Sequence, residues 1–289
     1  MVKRYRHCEA LVDDIRNTVV PANAVALWNL GQAGVLLKGE SRDGGKQLPT
    51  IVIDPYLTRA IETNQPGTEF VREYDAPLAP EDLAGVAMVL LTHHHDDHLD
   101  LSTIGPLHKA SPGTRFIIPA PHVGMLRDIG ISDDAIILAH AGQTIHTGDV
   151  EILPVAAAHT EYETDSSGDH LYLGYVVSMN GIRVYHSGDT IVTDELVQTM
   201  KAVKPHIAML PINGGDYARS RRGIVGNMTA REAVDFAVEI GADMLLPNHY
   251  DMFPNNRDNP AHFVDYLFHH HRNLKFHMST VGERFIYLS

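Results

Sequence analysis

An apolar run, Gly85-Val-Ala-Met-Val-Leu-Leu91, leads directly into Thr92-His-His-His-Asp-Asp-His98, and this junction constrains the chain more than any other stretch of its sequence. The apolar part reads as a buried strand. Four imidazoles and two carboxylates at the end of such a strand are expensive to desolvate unless they serve a ligand. His93, His95, Asp97 and His98 have the spacing His-x-His-x-Asp-His. Alternate residues of an extended segment point the same way, and the last pair turns to address a second position. Imidazole and carboxylate are ligands of zinc and related divalent ions, and catalytic sites of this kind keep a coordination position open for water. His94 and Asp96 fall out of phase with the ligand face and are expected to support the loop or a ligand rather than bind metal. A solvated His-rich loop is the alternative reading.

Three later residues stand in similar places. His159 ends Val150-Glu-Ile-Leu-Pro-Val-Ala-Ala-Ala158, Asp189 follows Ile182-Arg-Val-Tyr-His-Ser-Gly188, and His249 follows Asp243-Met-Leu-Leu-Pro-Asn248. Each lies just past an apolar, strand-like run, where an α/β scaffold places its functional loops. Taken singly they are weak: a strand-end His is more often a surface group, and Ser-Gly-Asp-Thr alone reads as a turn.

Together with the heptapeptide, in this order, they resemble the signature of the metallo-β-lactamase superfamily. That resemblance implies an αββα four-layer sandwich with metals at the edge between the sheets. It implies a first metal on His93, His95 and His159, a second on Asp97, His98 and His249, and Asp189 bridging both. Two divalent ions per chain are thus expected, zinc by ligand type, with manganese the alternative. Leu27-Trp-Asn-Leu-Gly-Gln-Ala-Gly34, Val184-Tyr-His-Ser-Gly-Asp189, Asn227-Met-Thr-Ala-Arg-Glu232 and Leu246-Pro-Asn-His-Tyr-Asp251 are similar to the branch that contains L-ascorbate-6-phosphate lactonase. This implies a metal-dependent hydrolase of a small anionic lactone or ester, although shared fold does not carry over an identical substrate.

The remaining pattern suits a layered α/β chain forming a single domain over 1–289. Ala24 to Leu30 and Val35 to Lys38 read as a hairpin, followed by a strand at Thr50 to Asp54. Helices are expected over Leu99 to Lys109, His122 to Ile129 and Asp194 to Lys204, the last stopped by Pro205, with another starting near Pro260. The clearest helix begins at Thr229, which forms a capping box with Glu232, and Gly241 closes it. Arg42 to Lys46 reads as a hairpin tip and Asp165 to Asp169 as a loop.

Composition excludes several classes. A formal charge of -13 argues against general affinity for nucleic acid, whose phosphates attract basic surfaces. No apolar run approaches the ~20 residues of a membrane span, and the first residues lack the apolar core of a signal peptide, so a cytoplasmic protein is expected. The one cysteine, Cys8, forms no internal disulfide and is read as a bystander. Self-association is left open.

Two adjacent divalent ions would acidify a water between them and polarise a substrate oxygen. Asp97 is then both ligand and catalytic candidate, positioned to orient that water or carry its proton. His186, three residues before Asp189, has two readings: a catalytic contact with the leaving group, or a hydrogen-bonded supporting histidine. Arg219, Arg221 and Arg222, with Tyr217, are concentrated in a glycine-rich stretch of an acidic protein. They are candidates for gripping an anionic substrate, against the alternative of a solvated loop. His269-His-His271 reads as a helix C-terminus with favourable charge rather than a third metal site. A phosphodiesterase acting on nucleotide, RNA or phospholipid, a non-catalytic metal-binding protein and an iron-bound redox enzyme are the alternatives to the lactonase-like hydrolase.

Overall fold

The computed structural model describes residues 8–39 and 49–289. Its strands are β1 (Ala24–Gly31), β2 (Gly34–Lys38), β3 (Ile51–Ile53), β4 (Met88–Leu90), β5 (Arg115–Pro119), β6 (Ile136–Ala139) and β7 (Ile145–Thr147). They continue as β8 (Val150–Ala156), β9 (Leu173–Met179), β10 (Ile182–His186), β11 (Ile207–Pro211), β12 (Met244–Asn248), β13 (Lys275–Phe276) and β14 (Arg284–Leu288). One sheet has the order β14-β1-β2-β3-β4-β5-β6 and the other β13-β12-β11-β10-β9-β8-β7. Both are mixed: β3 to β6 run parallel, as do β10 to β13, and antiparallel strands complete each sheet.

Because strand side chains alternate between faces, near-continuous apolar runs build two cores at once. In β1, Val25 and Leu27 point inward to the layer between the sheets, joined by Val35, Ile53 and Leu90 from the same sheet and Val177, Val184 and Ile207 from the other. Ala24, Ala26, Trp28 and Leu30 point outward instead and pack with Leu11 of α1 (Cys8–Asn17), Ile104 and Leu107 of α3 (Leu101–Ala110), and Leu126 of α4 (Val123–Asp128). On the other sheet Val176, Tyr185, Ala208 and Leu210 meet α5 (Asp194–Val203), α7 (Ala230–Glu239) and α8 (Pro260–His270) through Met200, Phe236 and Phe263. The order of layers is therefore αββα. Each fully buried aliphatic side chain contributes roughly 1.5–3 kcal/mol, so the paired cores fix where the strand ends emerge.

The helix boundaries follow local chemistry. Thr229 caps α7, its hydroxyl accepting from the Glu232 amide while the Glu232 carboxylate accepts from the Thr229 amide. Helix α5 ends at Lys204, in the left-handed region just before Pro205. Two short helices, α2 (Ala60–Asn64) and α6 (Tyr217–Ser220), flank the strand ends that carry the polar loops. The expected tip at Arg42 to Lys46 lies outside the described residues. Among those described, no helix is long and apolar enough to cross a membrane.

Candidate metal centre

The polar loops that follow β3, β4, β8, β10 and β12 meet along one edge of the sandwich. The two sheets are laced together there: Leu173 donates its amide to the Thr92 carbonyl (3.0 Å) and the Tyr175 hydroxyl donates to the Leu91 carbonyl (2.7 Å). The His159 and Asp189 loops are tied by Ala158 N to Thr190 Oγ1 (3.0 Å) and Ile191 N to the Ala158 carbonyl (2.8 Å). Gly188 gives Asp189 its approach. It sits at φ +60°, and a Cβ there would lie 2.8 Å from the Leu173 carbonyl oxygen and 2.9 Å from Thr92 Cβ.

The seven expected ligands converge as two groups. His93, His95, His159 and Asp189 form one and Asp97, His98 and His249 the other, with the ligand atoms of each group within 4.8 Å of one another. Asp189 joins them: its Oδ1 lies 3.2 Å from His98 Nε2 and 3.3 Å from His249 Nε2, and its Oδ2 faces His159 Nε2 at 3.6 Å. Asp97 Oδ2 lies 3.4 Å from His249 Nε2. In the first group, His93 Nε2 and His95 Nδ1 approach to 2.9 Å.

The donor chemistry fits a cation. Asp189 Oδ1 is buried without a hydrogen bond, and His98 Nε2 and His249 Nε2 face each other at 3.3 Å. Electron-rich atoms converging on one point in this way repel unless positive charge lies between them. Burial would raise the Asp97 and Asp189 carboxyls, but the neighbouring His98 and His249 outweigh it and hold both below the usual carboxylate range. Burial pushes the His93 and His95 imidazoles down, His95 to about 4, so their lone pairs stay available. His98 and His249 move the other way: burial opposes it, yet Asp189 and Asp97, with Asp54 also acting on His98, hold both up. This edge attracts positive charge.

Two supporting residues carry only weak signals in the sequence pattern. Asp54, fully buried at the end of β3, accepts from Thr92 N (2.9 Å), Thr92 Oγ1 (2.6 Å) and His98 Nδ1 (2.8 Å). With Nδ1 donating to Asp54, His98 presents the lone pair of Nε2 to the centre. Gln32, in the β1–β2 turn at φ +55°, places Nε2 2.7 Å from Asp97 Oδ2 and 3.0 Å from His249 Nε2. The only signals were an Asp ending a strand and a Gln between glycines. Tyr172 backs the first group, its ring 5.1 Å from His93 and 5.2 Å from His159.

Of the two readings of His186, its surroundings match the hydrogen-bonded supporting one. Its side chain is fully buried, Nε2 meets the Ala33 carbonyl at 2.7 Å, and Nδ1 accepts from Gly188 N at 3.2 Å. Both nitrogens are occupied by backbone, so His186 anchors the Asp189 loop to the β1–β2 turn. The His94 ring lies tilted against His122 (centroids 4.8 Å apart), whereas Asp96 lines the cleft and accepts from Gln65 (3.4 Å).

Over the metal-ligand candidates opens a cleft of about 270 Å³, lined by His95, Asp97, His159, Asp189 and His249 together with Ile61, Gln65, Phe70, Phe253 and Asn256. The loop after β11 contributes Gly223, Ile224 and Val225 to that lining, but not Tyr217, Arg219, Arg221 or Arg222. These four side chains match the alternative reading of a surface loop better than that of a substrate grip. Arg219 donates to Asp216, to the Asn213 carbonyl (2.9 Å) and to Asn256 Oδ1 (3.2 Å). Arg222 pairs with Glu69, and Arg221 lies over the exposed Tyr217 ring at 5.8 Å. Arg219 and Arg222 thus tie the loop to Asn256 and Glu69. The triplet His269 to His271 lies outside both ligand groups, and His271 pairs with Asp235 at 2.8 Å.

Residues 50–250, more than half of the chain, match the family described as Beta-lactamase superfamily domain. A metal-dependent hydrolase of Archaeoglobus fulgidus is 31% identical over 239 residues, covering 81% of this chain and 87% of the relative. A probable L-ascorbate-6-phosphate lactonase of Escherichia fergusonii is 23% identical over 280 residues, covering 86% and 76%. Among solved structures, isothiocyanate hydrolase from Delia radicum gut bacteria superposes with a TM-score of 0.69 at 19% identity, covering 90% of this chain and 98% of that one. The family match, the share of the Archaeoglobus sequence and the layered architecture agree: the chain belongs to the beta-lactamase superfamily, among its metal-dependent hydrolases.

Proposed function

We propose that this protein hydrolyses a small ester or lactone at a centre of two divalent ions that share Asp189. The observation that carries this reading is the split of the Asp189 carboxylate, Oδ1 toward His98 and His249 and Oδ2 toward His159. Zinc suits the five imidazoles and two carboxylates, and manganese is the alternative. When bound, such ions supply an acidified water at neutral pH and positive charge beside the carbonyl oxygen.

The chain's own residues orient the reaction. Hydrolysis breaks the acyl carbon–oxygen bond, joins the water oxygen to the acyl carbon, and sends a proton to the leaving oxygen. Asp97 lines the cleft, is held by Gln32 and is kept ionised by His98 and His249, so it accepts a hydrogen bond from the attacking water. Asp54 fixes the tautomer of His98, and Gly188 lets Asp189 reach between the groups. A small-molecule substrate is supported by the size of the cleft and by the formal charge of -13, which disfavours a polyanion. It is also in keeping with relatives named for a lactone phosphate and an isothiocyanate. A single cysteine in the chain suits the cytoplasm.

Elemental analysis of purified protein, with turnover on a panel of lactones and esters, tests the reading. Close to two divalent ions per chain are expected, and His95→Ala loses much of that metal and nearly all activity. A metal-free wild-type protein with full hydrolytic activity would refute it.

A further inference from the structure

The cleft holds a second set of features besides the metal-ligand candidates. Phe70 and Phe253 meet edge to face, with centroids 5.6 Å apart at 89°. Ile61 and Ile224 join them in the lining, and Val225 stands exposed nearby. Among the described residues no lysine or arginine lines the cleft, while the Asp96 carboxylate does. Of the nearby guanidinium groups, Arg219 is committed to Asp216, Asn213 and Asn256, and Arg222 pairs with Glu69.

Asn256 is a polar group in this lining, as Gln65 and Asp96 are. Its Oδ1 accepts from both Asn213 Nδ2 (3.2 Å) and Arg219 Nη1 (3.2 Å). Two donors on one oxygen fix which way the amide faces, since a flipped amide would set donor against donor. Nδ2 is then the group that Asn256 has left to offer a ligand in the cleft.

Resting on the hydrolase reading above, we propose that the cleft selects substrates whose substituent is uncharged and apolar, seated against Phe70, Phe253 and Ile224, with a substrate oxygen held by Asn256 Nδ2. An apolar substituent gains by leaving water, whereas an anionic one seated there, away from the metal-ligand groups, would lose hydration beside Asp96 with no lysine or arginine in the lining to replace it. The arginine loop thereby acts on specificity at one remove, by orienting Asn256.

Two measurements on metal-reconstituted wild-type protein test this. The first is hydrolysis of p-nitrophenyl esters from acetyl to hexanoyl, each compared with an ω-carboxylate ester of equal length. Each methylene should raise kcat/KM about fourfold until the wall is covered. The carboxylate partner should be slower by about tenfold or more. The second is calorimetric affinity for alkyl hydroxamates and their ω-carboxy analogues, which needs no turnover and should rank the same way. Phe70→Ala should flatten both length series. Asn256→Leu should lower kcat/KM about tenfold across the ester series and leave its slope unchanged. If no ester is cleaved but the hydroxamate ranking holds, the ester reading fails and the apolar wall stands. Affinity that is flat with chain length, or higher for the carboxylates, would overturn the proposal whether or not the esters turn over.

Discussion

Replacing Asp54 by Asn tests how far the centre depends on a residue that is not itself a ligand candidate. Asp54 is fully buried at φ +46° and accepts three hydrogen bonds: Oδ1 from the Thr92 amide, and Oδ2 from the Thr92 hydroxyl and His98 Nδ1. Asn tolerates the left-handed region and has nearly the same shape, so the backbone is not disturbed. Its amide can keep the bond from Thr92 N. The group facing His98 then becomes a donor, and two donors cannot share that contact. His98 must pass its proton to Nε2, the nitrogen 3.2 Å from Asp189 Oδ1, and so loses the lone pair it presents to the centre. Supporting carboxylates of this kind are typically worth ten- to a hundredfold in metal affinity or activity, about 1.4–2.8 kcal/mol. With the proton moved, the amide donates to His98 Nδ1 and to a rotated Thr92 hydroxyl, so two bonds to a carboxylate become neutral ones at a cost of roughly 1–3 kcal/mol of stability, which leaves most domains of ordinary stability folded at 25 °C. The assay is metal content with kcat/KM at 25 °C, and thermal unfolding of the metal-stripped protein. An Asn variant that keeps both metal equivalents and full activity would refute the assigned tautomer and the role of Asp54.

Two further outcomes are expected. His98 and His249 are held above the ordinary imidazole value while His93 and His95 lie below it, His95 at about 4. A raised group takes up protons earlier as pH falls and so surrenders a ion first. Metal per chain, measured after equilibration from about pH 8 to about pH 5, should therefore fall in two steps, with the Asp97–His98–His249 group emptying before the other. A single cooperative loss would contradict this. Arg219→Ala removes the contacts to Asp216, Asn213 and Asn256 and should destabilise by roughly 1–3 kcal/mol in urea unfolding. Arg221→Ala and Arg222→Ala, both at exposed positions, should stay within about 0.5 kcal/mol. A tenfold fall in kcat/KM for either exposed variant at unchanged stability would return the arginines to the substrate.

The sequence by itself determined the kind of site and the strands that carry it. The run from Gly85 to His98 announces a buried strand ending in metal-ligand candidates because ligand type and alternation are local properties. The capping box at Thr229 is equally local, and α7 begins where it predicts. What only the tertiary structure decided is direction and partnership. His159 and His186 both follow or end apolar runs, yet one faces the cleft and the other is buried between two backbone groups. Asp54 and Gln32 are ordinary residues of a strand end and a turn until the fold brings His98 and Asp97 against them. Arg219 looked free in a charged loop, and folding gave it Asn213 and Asn256 as acceptors. Strand β14 completes the first sheet by pairing Leu288 with Ala24, near the other end of the chain. Periodicity and residue chemistry are written within a few neighbours, whereas a hydrogen-bond partner is set by which distant segment the packed cores place beside it.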